Sequence, residues 1–102
     1  MKHSKIAIIG GGNLGGAIAA GLIKSKFISP DHLTVTRRNV AELNDLKALG
    51  VNVTSDNSAA IQKSEVIIVA LKPYNVREVL EALKGSFDRS KHIVISVVTG
   101  VN

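Results

Sequence analysis

The stretch Ile6-Ala7-Ile8-Ile9-Gly10-Gly11-Gly12-Asn13-Leu14-Gly15 decides the fold. Four apolar residues in succession, closed off by glycine, read as a short strand covered on both faces, because a strand with one wet face would alternate. Gly10, Gly12 and Gly15 then match G-x-G-x-x-G at the junction of that strand with an alanine-rich helical stretch. Each glycine has a separate task there: Gly10 for the tight turn, Gly12 for close backbone approach to a pyrophosphate, Gly15 for close packing of helix on sheet. The N–H groups of Asn13, Leu14 and Gly15, at the positive end of the helix dipole, would face the diphosphate of a dinucleotide. A tight turn with no ligand would use the same glycines. The strand before, the helix after and the repeated units downstream argue for the ligand.

Outward from this turn, β-branched runs recur at Lys5 to Ile9, Leu33 to Thr36, Val51 to Val53, Glu65 to Leu71 and His92 to Val98, and each reads as a strand. Helical patterns lie between them. Leu14, Ile18 and Leu22 mark a first helix, and Val40, Leu43, Leu46 and Leu49 a second, ended by Gly50. A third runs from about Asn57 to Gln62, with Asp56 or Ser55 as N-cap, and a fourth follows Pro73, with Val76, Val79, Leu80 and Leu83 as its apolar stripe. Alternating strands and helices predict an α/β fold, a Rossmann-like doubly wound parallel sheet in three layers, strand order 3-2-1-4-5. The ligand is then expected at the switch point between the first and fourth strands.

The chain of 102 residues is long enough for one core, so residues 1–102 read as a single dinucleotide-binding domain. It stops where the fifth strand should hand over to another element, and we expect it to be part of something longer. No apolar run approaches the ~20 residues that span a bilayer, so no transmembrane helix is predicted and a cytoplasmic location follows by default. Cysteine is absent, which excludes disulfides and Cys-based metal sites. The net charge of +5 comes from scattered Lys and Arg, with three aromatics in all, so neither a basic stripe nor a stacking platform for nucleic acid is present.

Choice between dinucleotides falls to the end of the second strand, where NAD-binding domains usually offer a carboxylate to the ribose hydroxyls. Here stand Thr36, Arg37 and Arg38. Two planar guanidinium forks and a hydroxyl suit a 2′-phosphate, so NADP is expected ahead of NAD. Alternatively, one or both arginines solvate a loop or pair with Glu42. The fourth strand ends in Ala70-Leu71-Lys72-Pro73, beside the expected position of the cofactor's second half; Lys72 reads either as a cation for ribose or phosphate or as a solvent-facing loop residue. Asn57 is a candidate ribose contact or a helix cap. Ser96 and Thr99 leave the fifth strand on the same edge, as nicotinamide neighbours or as backbone partners. His3, His32 and His92 lie at the opposite edge without metal-ligand spacing, and no residue is assigned a catalytic role.

Taken together, Ile6 to Gly15 with Ala17 and Gly21-Leu22, then Val69-Ala70-Leu71-Lys72-Pro73, then Ile95-Ser96-Val97-Val98-Thr99-Gly100-Val101, resemble the N-terminal domain of pyrroline-5-carboxylate reductase along the whole chain. The resemblance implies a proline-forming oxidoreductase in which NADPH or NADH gives hydride to the C=N carbon of 1-pyrroline-5-carboxylate. It also implies that Gly10 to Gly15 hold the pyrophosphate, Thr36 to Arg38 the adenosine phosphate and Asn57 the adenine ribose, with Ala70 to Lys72 beside the nicotinamide half. A helical C-terminal domain would bind substrate and make a homo-oligomer; this chain lacks it and should bind cofactor without turnover. Leu14 stands where the family commonly has Met, and Thr99 where it often has Ala. The competing readings are a β-hydroxyacid-type dehydrogenase, which opens on a similar glycine turn, and a non-catalytic dinucleotide-sensing module.

Overall fold

In the computed structural model, which describes residues 4–10, 13–71, 81, 84–86 and 92–98, strand β1 (Ile6–Ile9) is buried along its whole length. Its side chains divide between two separate apolar clusters. Ile6 and Ile8 pack with Leu33, Val35, Leu46 and Val51, whereas Ala7 and Ile9 pack with Ala60, Ile61, Ile67 and Val69. Successive side chains of a strand point to opposite faces. Two clusters therefore mean a sheet covered on both sides, as the unbroken apolar run predicts.

The other strands are β2 (Leu33–Thr36), β3 (Asn52–Thr54), β4 (Val66–Leu71) and β5 (Ile93–Val98). They form one sheet in the order β3-β2-β1-β4-β5 with every pair parallel. The predicted order holds, and most strands begin one residue later than expected. Helix α1 (Asn13–Lys24) and helix α2 (Asn44–Ala48) cover one face, through Ala19 and Leu46, with Leu43 just before α2 beside them and Leu14, Ile18 and Leu22 packed against this cluster. Helix α3 (Asn57–Gln62) covers the other through Ala60 and Ile61, and Asp56 caps it by accepting a hydrogen bond from the Ala59 N–H at 3.0 Å. Of the helix expected after Pro73, Glu81 alone falls among the described residues and is helical, and Val76, Val79, Leu80 and Leu83 lie outside them. Edge strand β5 departs from full coverage: Ile93, Val94 and Ile95 are all about half exposed.

The second helix differs from expectation. Val40–Leu43 is a 3-10 turn, opened by the Asn39 side chain accepting from the Ala41 N–H at 3.2 Å, and only Asn44–Ala48 is α-helical. The apolar spacing explains this. A stripe at every third residue matches the three-per-turn 3-10 helix and drifts round an α-helix, so Leu43 and Leu46 are buried while Leu49 is 53% exposed.

Helices α1 and α2 end in the same motif. After α2, Gly50 at φ +97° donates to the Lys47 carbonyl and Val51 donates to the Leu46 carbonyl. After α1, Lys26 at φ +60° donates to Ile23 and Phe27 donates to Leu22. Both are Schellman ends, in which a residue with positive φ turns the chain back on orphan carbonyls. Gly50 adopts that conformation without steric penalty, whereas Lys26 carries a Cβ into it. We expect Lys26→Gly to stabilise the fold by about 1 kcal/mol and Gly50→Ala to destabilise it by about 1–2 kcal/mol, read as shifts of the urea midpoint at constant slope. Equal effects of the two substitutions would contradict this account of the helix ends.

Candidate dinucleotide site at the carboxyl edge of the sheet

Register brings the site together. Ile9 pairs with Thr36 on one side and with Val69 on the other, Thr36 pairs with Thr54, and Val69 pairs with Ser96. The residues following this row, from Gly10, Arg37 and Ala70, form one carboxyl edge. The chain steps outward from β1 to β2 and β3 and then crosses back through α3 to β4, so the switch point lies between β1 and β4. That is the crevice where open α/β sheets bind ligands.

The turn leaving β1 is held from two directions. Gly10 sits at φ +96°, and its N–H donates to Thr36 Oγ1 at 3.2 Å. Its carbonyl occupies the space where residue 15 would carry a side chain. A Cβ on Gly15 would overlap the Gly10 oxygen, with the Gly10 carbonyl carbon at 3.0 Å and Ile8 Cγ2 at 3.4 Å. Glycine at 15 is thus required by the first turn of α1 pressing on the end of β1. By contrast, a Cβ on Gly16 or Gly21 would meet nothing within 4 Å. The helix begins at Asn13, so the N–H groups of its first turn, which have no partner inside the helix, point out over the edge. No acidic side chain lies in that first turn to compete for an anion. Gly12 lies outside the described residues.

The Thr36 hydroxyl, expected among the phosphate contacts, is buried at 1% exposure and engaged with Gly10. Sequence reading missed this tie. Its signal was available: Thr36 ends the strand beside β1, and the first N–H beyond β1 needs an acceptor. Arg37 continues the sheet, with its N–H donating to the Thr54 carbonyl at 3.2 Å, and its guanidinium forms an ion pair with Glu42, Nη2 to Oε2 2.6 Å. The pairing weighed as an alternative for the arginines is therefore present at Arg37. Arg38 is exposed and has no hydrogen bond or ion pair among the described residues.

Asn57 is the first residue of α3 and half-buried, and since Asp56 does the capping, the Asn57 side chain is left without a hydrogen bond among the described residues. Ala70 is buried near the end of β4, and Leu71 is its last residue, paired with Val98. Lys72 and Thr99 lie outside the described residues. The opposite edge holds structural polar contacts: His92 Nε2 lies 2.9 Å from the Ile61 carbonyl, and the Lys5 N–H donates to Glu65. Among the described residues, no cluster of His, Asp or Glu could hold a metal ion, and no helix is long and apolar enough to cross a membrane.

These features fit a dinucleotide phosphate: a backbone cradle that a side chain at 15 would fill, helix-end donors with no partner inside the helix, and an available guanidinium at the end of β2. Comparison with known proteins agrees. Residues 5–100 match the family described as NADP oxidoreductase, coenzyme F420-dependent. Pyrroline-5-carboxylate reductase 1 of Dictyostelium discoideum is 37% identical over 102 residues, which cover 100% of this chain and 18% of that protein. A pyrroline-5-carboxylate reductase from Coxiella burnetii superposes with TM-score 0.86 at 36% identity, over 95% of this chain and 36% of that one. The Plasmodium falciparum pyrroline carboxylate reductase, solved with NADP bound, superposes with TM-score 0.81 at 25% identity, over 100% of this chain and 36% of that one. The chain thus spans well under half the length of these relatives. It belongs to the NADP oxidoreductase, coenzyme F420-dependent family, and within that family its resemblance to the pyrroline-5-carboxylate reductases is borne out.

Proposed function

We propose that this chain is the cofactor-binding domain of a reductase that uses NADP to form proline from 1-pyrroline-5-carboxylate. The observation that carries this is the Gly10–Gly15 close contact, at the switch point of a sheet that superposes on pyrroline-5-carboxylate reductase along nearly its whole length. When bound, NADPH supplies a hydride, with its electron pair, to the C=N carbon of the substrate, whose nitrogen is protonated. The chain's own residues bind and orient. Gly10, Gly12, Asn13, Leu14 and Gly15 hold the pyrophosphate on backbone donors. Arg37 and Arg38 take the 2′-phosphate, Asn57 the adenine ribose, and Ala70, Leu71 and Lys72 line the nicotinamide half.

Thr36 acts through Gly10, fixing the turn against the neighbouring strand. Discrimination against NAD comes from charge, since a 2′-phosphate bears close to two negative charges at neutral pH and an arginine fork matches its oxygens. The remaining length of the relatives supports a further part, to which this reading assigns substrate binding and a homo-oligomer contact, with this domain inactive on its own. A cytoplasmic location, with neither nucleic acid nor membrane as partner, accompanies this reading.

The purified chain is expected to bind NADPH more tightly than NADH, and Arg38→Ala to cost about 1–2 kcal/mol of NADPH affinity while sparing NADH, measured by titration of cofactor fluorescence. Equal affinities for the two cofactors would refute the assignment. Gly15→Ala should weaken both cofactors at least about tenfold, because the helix must retreat from the turn. Thr36→Val strands the Gly10 N–H at a cost of about 1–3 kcal/mol in stability. It should weaken both cofactors equally, leaving their ratio unchanged; a selective loss of NADPH would instead place the Thr36 hydroxyl on the phosphate.

A further inference from the structure

The Arg37–Glu42 ion pair lies across the edge to which the 2′-phosphate is assigned. Glu42 belongs to the 3-10 turn after β2, and its place is fixed by the backbone: its N–H donates to the Asn39 carbonyl at 3.1 Å, and the next residue, Leu43, is buried in the core. Arg37 is fixed as firmly, through its N–H on Thr54. The pair at 2.6 Å is thus set by two anchored chain segments, in contrast to ion pairs between long side chains on a free surface. Its side chains are 37% and 48% exposed, so an arriving phosphate can reach the guanidinium.

Resting on the reading of this edge as the 2′-phosphate subsite, we propose that Glu42 is a specificity-determining residue that restrains the preference for NADPH. It does so in two ways. Its carboxylate occupies donors of Arg37 that a phosphate would otherwise use, leaving Arg38 as the uncommitted cation. It also halves the local charge, since two arginines and one glutamate present a net single positive charge to a group bearing close to two negative ones. NADH, which lacks the 2′-phosphate, meets neither penalty. The pair therefore narrows the gap between the two cofactors and leaves the domain able to accept both.

The test is Glu42→Gln in the purified chain, with NADPH and NADH affinities measured by titration at low and high ionic strength. Gln keeps the length and polarity and removes the charge. NADPH is expected to bind roughly three- to tenfold more tightly in about 0.05 M salt, with the gain shrinking in about 0.5 M salt, as screening of partly exposed charges requires. NADH affinity should stay within about twofold, because its ribose hydroxyls carry no charge for Glu42 to oppose. Unchanged or weaker NADPH binding overturns the proposal, and so does a gain shared equally by NADH, which would mark a general change in loop order. Arg38→Ala separates the two levels. Loss of NADPH preference in Arg38→Ala with no response in Glu42→Gln overturns this inference alone, whereas no change in Arg38→Ala overturns the subsite assignment and the inference with it.

Discussion

The end of β1 and the beginning of α1 approach so closely that the Gly10 carbonyl fills the space of a side chain at residue 15. Much of the architecture follows from that contact. It requires glycine at 15, brings the first turn of α1 up to the sheet edge, and so carries unpaired helix donors to the one place where a parallel sheet opens a crevice. The turn is braced from the other side by Thr36, so that β2 and α1 together fix the backbone of Gly10. A binding surface made of backbone rather than side chains needs such bracing, since its donors are placed only as well as the chain is.

Around this neutral cradle, we propose, the charged groups decide which dinucleotide is favoured. The edge beyond β2 carries Arg37 and Arg38, but they are not equivalent. Arg37 is held by Glu42 at 2.6 Å, and Arg38 is exposed. Sequence adjacency made them look like one paired feature; the backbone bond from Arg37 to Thr54 and the 3-10 turn carrying Glu42 separate their roles. The place at the end of β2 where many NAD-binding domains offer ribose a carboxylate is here held by Thr36, Arg37 and Arg38, and the acidic group that follows, Glu42, pairs with Arg37.

The sheet was legible because Ile6 to Ile9 and Val66 to Leu71 are apolar on consecutive positions, a pattern that parallel strands buried on both faces share. Strand order followed from the alternation of elements, and the glycine turn from its position between a strand and a helix. Less legible was α2, where apolar residues at every third position suit a 3-10 turn and lose their common face once the helix becomes α, leaving Leu49 exposed. The bond from Gly10 to Thr36 and the distinction between Arg37 and Arg38 depend on which strand ends lie side by side, which spacing along the chain does not encode. For Asn57, sequence left a cap and a ligand contact as equals, and the hydrogen bond to Asp56 removed the first.

The central claim is that a dinucleotide docks on the carboxyl edge through the Gly10–Gly15 turn. An amide NMR titration of the isotopically labelled chain with NADP tests it most directly. Shifts are expected to concentrate at Gly10, Leu14, Gly15, Arg37, Arg38 and Asn57, with the amino-edge residues His32, Ser64 and His92 undisturbed. Shifts centred on the amino edge, or spread evenly over both edges, would contradict it.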